Sequence, residues 1–97
     1  MSYEQVVSIL GGFSELKRKK CSQNRVNYSY PGSPIRRKGV LQELYLTGNG
    51  YLFVGYLPEY HNQMDKNQLI NIKSLTQEEF KIALKKVIKS FHTTSRA

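Results

Sequence analysis

The clearest pattern of apolar and polar positions lies in residues 40–57, where two runs rich in Leu, Val, Tyr and Phe flank the pair Asn49-Gly50. Such a pair is the strongest short-range signal of a β-hairpin, because a type I′ turn requires a positive φ at both central residues. A two-residue turn here pairs Leu46 with Phe53. Apolar side chains then occupy both faces of the hairpin, so we expect other parts of the chain to cover it on both sides.

A short N-terminal helix is predicted at residues 2–10. Ser2 and Gln5 have the spacing of a capping box, and apolar residues follow at helical spacing. The glycines at 11–12 interrupt this pattern, since each costs on the order of 1 kcal/mol in a helix interior. Helical periodicity then resumes, which leaves two arrangements: one helix that continues to about Lys19, or two short helices that meet at the glycines. We prefer the second arrangement.

Two further strands are predicted on either side of the hairpin. Val26, Tyr28 and Tyr30 alternate with polar residues and share one face of a first strand. Segment 31–34, with two prolines and a glycine, has the composition of a turn. Residues 69–73 make a brief fourth strand.

The last element is a long amphipathic helix. Thr76 and Glu79 form a second capping box, and the apolar residues at 80–91 form a continuous stripe. The stripe predicts that this helix packs on one face of the sheet. Residues 92–97 are expected to be a frayed tail.

Together these elements predict the fold class α+β, with the order α-β-β-β-β-α. We expect a small antiparallel four-stranded sheet, flat or curved into a half-barrel, with an N-terminal helical segment and a C-terminal helix packed on it. The sheet is predicted to be antiparallel because the segments between strands are too short for crossover connections. With 97 residues the chain has room for a single domain, residues 1–97.

Charge adds a functional indication to this fold. The chain contains fifteen Lys and Arg residues and seven Asp and Glu residues, which gives a formal net charge of +8. The segment 16–42 is basic and contains no acidic residue. Such a field attracts polyanions, first nucleic acid, either DNA or RNA, and next anionic membrane surfaces. The alternative is that the excess charge only confers solubility.

Basic and aromatic residues of this segment are the predicted nucleic-acid-binding site. We expect phosphate contacts from Lys17, Arg18, Lys19, Lys20, Arg25, Arg36, Arg37 and Lys38, with Tyr28 or Tyr30 stacking on a base. Each feature also has a purely structural explanation. The run at 17–20 would favour the negative end of a helix macrodipole, and tyrosines suit strands intrinsically.

Catalytic and metal-binding patterns are not recognised. His61 and His92 are far apart in sequence, and with the single Cys21 they give no zinc spacing. We therefore expect a protein that is not an enzyme and that has no cofactor. One cysteine, no long apolar run and no signal-peptide pattern predict an intracellular, cytoplasmic protein with no membrane span.

The order of signals over little more than half of the chain resembles the WYL-type, Sm-like β-barrel domain of bacterial regulators. The residues in comparable places are Val26-Asn27-Tyr28, Arg36-Arg37, Gly50-Tyr51-Leu52 and Gly55-Tyr56. The resemblance implies nucleic-acid or nucleotide binding on a small curved sheet.

The sequence therefore predicts a non-catalytic nucleic-acid-binding or regulatory protein. An alternative from another class is a protein-interaction module without a nucleic-acid role. In that case the apolar hairpin face left uncovered by the single strong helix forms a homodimer or docks an acidic protein partner.

Overall fold

The fold is described from a computed structural model, which covers residues 1–21 and 24–95. Two helices and five strands follow one another along the chain. They are α1 (Tyr3–Gly11), β1 (Lys17–Lys20), β2 (Val26–Ser29), β3 (Gly39–Leu44), β4 (Tyr51–Phe53), β5 (Leu69–Asn71) and α2 (Gln77–Ser95). Two single-turn 3-10 helices, Pro58–Tyr60 and Ile72–Ser74, lie before and after β5.

The strands form one antiparallel sheet whose spatial order equals the sequence order, β1-β2-β3-β4-β5. The predicted α+β class and the antiparallel sheet are confirmed, with one strand more than expected. In the described ranges 1–21 and 24–95, β1 and β5 are the two edges and do not pair with each other, so the sheet is open.

One row of side chains across the sheet forms the centre of the core. Tyr28, Leu41, Leu52 and Ile70 stand opposite one another on four neighbouring strands, and all four are buried. The helices join the same core. Their buried residues are Val6, Ile9 and Leu10 of α1 and Phe80, Ala83, Leu84, Val87 and Phe91 of α2. The stripe predicted for the C-terminal helix therefore packs on the sheet as expected.

Both predicted capping boxes are present. At α1, Ser2 Oγ accepts a hydrogen bond from the Gln5 amide at 3.2 Å, and Gln5 Oε1 accepts from the Ser2 amide at 2.9 Å. At α2, Thr76 and Glu79 make the same reciprocal pair, at 3.2 and 2.8 Å. These caps satisfy amide groups that the first helical turn leaves without an intrahelical partner.

Residues 17–20 form a strand, so both predicted arrangements were wrong: the single helix as far as Lys19 and the preferred second short helix after the glycines. Gly12 caps α1 by donating its amide to the carbonyl of Ile9 at 3.1 Å, and a turn follows. Residues 17–20 then pair one by one with β2, from Lys17 opposite Ser29 to Lys20 opposite Val26. Pairing with a strand already folded on the core outweighs the weak helical periodicity, because propensity is a small term beside tertiary contacts.

The turn of the central hairpin differs from the predicted one. Gly48 has φ +90°, and its amide donates to the carbonyl of Tyr45 at 2.9 Å, so the chain reverses at residues 45–48 rather than at Asn49-Gly50. A turn followed by a glycine with positive φ is a common longer hairpin connection. Consequently Leu41 faces Leu52, and Leu46 is an exposed turn residue instead of a partner of Phe53.

The new register also changes the expectation that the hairpin is apolar on both faces. The slip covers an even number of residues, so Gln42 still shares a face with Tyr51, whereas a bulge at Glu43 turns Leu44 to the other side. Within the paired part, however, the side away from the core contains Gln42 and Tyr51. Phe53, two residues after Tyr51 on β4, is buried, so this side also has an apolar part, and the protein-interaction alternative stays a prediction.

Helix α2 continues to Ser95 through part of the tail predicted at 92–97, and residues 96–97 lie outside the described range. None of the helices in the described residues is both long and apolar enough to cross a membrane.

Candidate nucleic-acid interface

Most of the side of the sheet opposite the buried row is polar, and we call these polar residues the open face; Phe53, which follows Leu52 on β4, lies on the same side but is buried. Its residues alternate with the core residues along each strand. They are Lys17 and Lys19 of β1, Asn27 and Ser29 of β2, Gln42 of β3, Tyr51 of β4 and Asn71 of β5. All are exposed or half-buried. The open face therefore combines two cations, three amides, one hydroxyl and one aromatic ring.

A β-bulge at Glu43 determines which side chains of β3 lie on the open face. Glu43 has φ +55°, and its amide donates to Asn27 Oδ1 at 2.8 Å. Between Val26 and Tyr28 the register with β3 shifts, because β3 contains one extra residue there. The bulge turns Leu44 into the core while Gln42 stays on the open face.

Arg25 lies at the margin of the open face and is engaged within the protein. Its Nη1 lies 2.9 Å from Glu43 Oε1, and its guanidinium stands 5.7 Å from the centroid of the Tyr45 ring. Its Nε is buried and has no hydrogen-bond partner among the described residues. The ion pair neutralises the charge that the sequence assigned to a phosphate contact.

The second basic run continues the open face beside β3. Arg36 is exposed, whereas Arg37 is half-buried with its guanidinium 3.7 Å from the centroid of the Phe53 ring. The ammonium of Lys38 donates to the carbonyl of Ser33. Of this run, only Arg36 has a guanidinium or ammonium with no described contact.

Two shallow concavities join these residues to the open face. One, of about 480 Å³, is lined by Arg36, Arg37, Lys38, Gly39, Gln42 and Tyr56. The other, of about 300 Å³, is lined by Lys19, Asn27, Tyr28, Ser29, Gly39, Leu41 and Gln42. Since Gly39 and Gln42 belong to both, the surface is continuous from β1 to the second basic run.

Strand alternation divides the first basic run between the two sides of the sheet. Lys17 and Lys19 lie on the open face, but Arg18 stands opposite Tyr28 and Lys20 opposite Val26, on the core side. Arg18 Nη2 donates to the hydroxyl of Tyr3 on α1 at 3.2 Å. The four cations predicted as one patch are therefore two pairs that face in opposite directions.

Neither tyrosine predicted to stack on a base lies on the open face. Tyr28 is 6% exposed, and burial raises the pKa of its phenol, an effect that the charge of Arg18 partly offsets. The Tyr30 hydroxyl is 2.7 Å from Nε2 of His92, and its ring packs 6.5 Å from that of Phe91. The burial of Tyr28 corrects its stacking assignment, whereas Tyr30 is half-buried beside Phe91 and His92, and its assignment stays a prediction.

The residues that sequence reasoning missed are the polar ones between the core positions. The position of Asn27 on the open face could have been predicted, because Asn27 alternates with Val26 and Tyr28 along the strand. Gln42 and Tyr51 share a face in either hairpin register. The position of Asn71 on the open face depends on the pairing of β4 with β5, which no local sequence signal predicts.

Other chemistry is sparse in the described residues. No three His, Cys, Asp or Glu side chains in residues 1–21 and 24–95 lie grouped to hold a metal ion. No family model, curated protein or solved structure matches this chain. The resemblance to WYL-type domains stays a prediction.

Proposed function

We propose that this protein binds nucleic acid on the open face of its sheet, without catalysis, in a regulatory role. The observation that supports this most strongly is the charge of that face and its margins. Lys17, Lys19 and Arg36 have side chains with no ion pair or hydrogen bond to the described residues, and the acidic Glu43 is already paired with Arg25. Cations free of internal partners are the groups that can neutralise phosphates and release counterions.

The width of the sheet favours a single strand over a duplex. Neighbouring strands lie about 4.8 Å apart, so β1 and β5 are separated by roughly 19 Å. A B-DNA major groove is only about 12 Å wide and admits a helix or a two-stranded ribbon. The open face is too broad to enter it, whereas an unpaired strand can lie across it with phosphates near the cations and bases over the amides.

The test is a fluorescence-anisotropy titration of single-stranded and duplex oligonucleotides at a series of salt concentrations. The variant replaces Lys19 and Arg36 by Gln. The matched control replaces Lys85 and Lys89, two exposed lysines of α2, so that both proteins lose the same charge. For single strands, each neutralised phosphate contributes about 0.7 to the slope of log affinity against log salt, so the variant should lose about 1.4.

Each outcome of this titration is informative. Tighter binding of single strands, with a reduced slope for the open-face variant alone, would support the proposal. An equal loss in both variants would mean that net charge rather than the open face attracts the strand. Absence of binding at low salt would overturn the proposal.

A further inference from the structure

A small concavity beside the hairpin turn differs in character from the cationic part of the open face. It measures about 220 Å³ and is lined by Tyr45, Tyr51, Asn49, Asn71, Thr47 and the Arg25–Glu43 pair. We infer that this concavity is a pocket for one unpaired nucleobase of a single-stranded nucleic acid. This inference rests on the proposed function and specifies that the concavity binds a base of the nucleic-acid strand.

Size and aromatic lining suit a single planar group. Pockets for drug-sized ligands usually measure about 300–1,000 Å³, so this one accepts a smaller molecule or one unit of a polymer. Tyr45 and Tyr51 are both half-buried, which leaves part of each side chain accessible. Stacking on a tyrosine ring removes an apolar face of a base from water, and every base has such a face.

The amides of the pocket leave both a donor and an acceptor for the edge of a base. Asn49 Nδ2 donates to Thr47 Oγ1 at 3.0 Å, so its Oδ1 is available as an acceptor. Asn71 Oδ1 accepts from the amide of Lys73 at 2.9 Å, so its Nδ2 is available as a donor. Base edges present donors and acceptors side by side, and amide side chains match them.

The charge of the pocket favours a base over a phosphate. Glu43 lies in the lining, and its pairing with Arg25 leaves this concavity without net charge. A phosphate would meet a carboxylate here, whereas Lys17 and Lys19 are exposed on β1. A single strand therefore gains most with its phosphates near Lys17 and Lys19 and one base in the concavity beside the hairpin turn.

The pocket is also held in shape before any ligand arrives. The Tyr45 amide donates to the carbonyl of Asn49, and the Gly48 amide donates to the carbonyl of Tyr45, both at 2.9 Å. The Arg25 guanidinium stands over the Tyr45 ring. Such preorganisation reduces the ordering that binding would otherwise require.

The experiment compares a deoxyadenosine homopolymer with an abasic strand of equal length, so that the phosphates are the same and only the bases differ. Three proteins are titrated by anisotropy: the unchanged chain, Tyr51→Leu and Tyr51→Phe. We expect the unchanged chain to prefer the base-bearing strand by roughly five- to a hundredfold. Tyr51→Leu should abolish this preference, whereas Tyr51→Phe, which retains the ring, should keep it.

Failure of this pocket and failure of the proposed function give different results. Equal, salt-dependent binding of both strands by the unchanged chain would overturn the pocket and leave the proposed function standing. No binding of either strand would overturn both. A preference that survives Tyr51→Leu, with the variant folded by circular dichroism, would place the base elsewhere and overturn the pocket. A parallel titration with an adenosine ribohomopolymer distinguishes RNA from DNA as the source of the base.

Discussion

The guanidinium of Arg37 lies 3.7 Å from the centroid of the Phe53 ring, while its neighbour Arg36 points to solvent. Phe53 is itself 2% exposed, and its ring centroid lies 5.2 Å from that of Tyr56 and 6.1 Å from that of Phe91. Arg37 thus closes one end of the aromatic core. Two adjacent arginines that look equivalent in sequence have different surroundings.

Separate substitution of these arginines should separate stability from binding. Arg37→Ala removes a cation–π contact at a half-buried site and should lower the free energy of unfolding by about 1–2 kcal/mol. Arg36→Ala should change it by less than about 0.5 kcal/mol, as is usual for exposed positions. Urea unfolding followed by circular dichroism measures both. Equal effects of the two substitutions would show that the Phe53 contact contributes nothing.

The position of the hairpin turn can be tested with two glycines. At Gly48, where φ is +90°, an added Cβ would lie 2.6 Å from the carbonyl oxygen of Met1. Gly48→Ala should therefore cost about 1–3 kcal/mol or more of stability. At Gly50, the nearest side-chain atom, Ile72 Cδ1, is at an ordinary 3.4 Å. Gly50→Ala is the control and should cost clearly less in thermal unfolding; the reverse order would indicate the two-residue turn instead.

The capping box of α2 should contribute measurably to stability. Thr76→Ala removes the acceptor for the Glu79 amide, now at 3.2 Å, and should cost about 1 kcal/mol. In a domain of this size the corresponding fall in Tm is about 4–8 °C. Thr76→Ser keeps the hydroxyl and is the matched control. If both variants melt alike and below the unchanged chain, the loss comes from the methyl group rather than the cap.

Burial of Tyr28 predicts a dependence of stability on alkaline pH. Because burial raises the pKa of its phenol above 10.0, the unfolded chain loses this proton first as pH rises. The contribution of Tyr28 is then fully present below pH 10 and is lost as pH rises through the folded pKa. Urea unfolding on both sides of pH 10 should show a smaller loss for Tyr28→Phe than for the unchanged chain. Identical losses would mean that Tyr28 titrates in the fold as it does in the unfolded chain.

The helices and the first predicted strand were accessible from sequence because their signals are local. Ser2 with Gln5 and Thr76 with Glu79 satisfy amides within one helical turn, so spacing alone predicts them. The strand around Tyr28 follows from simple alternation. The site was predicted less well: cations were identified by their charge, but sequence did not show which are already engaged. Arg25 and Arg37 are held by Glu43 and Phe53, both distant in sequence.

The sequence by itself determined the α+β class, both caps, the antiparallel hairpin and the basic character of the segment before it. Each depends on residues a few positions apart or on composition. Only the tertiary structure decided that residues 17–20 form a strand, that the hairpin reverses at residues 45–48 rather than at Asn49-Gly50, and that Asn71 joins Tyr51 on the open face. Those choices depend on pairing and packing between distant segments, where long-range contacts outweigh local preference.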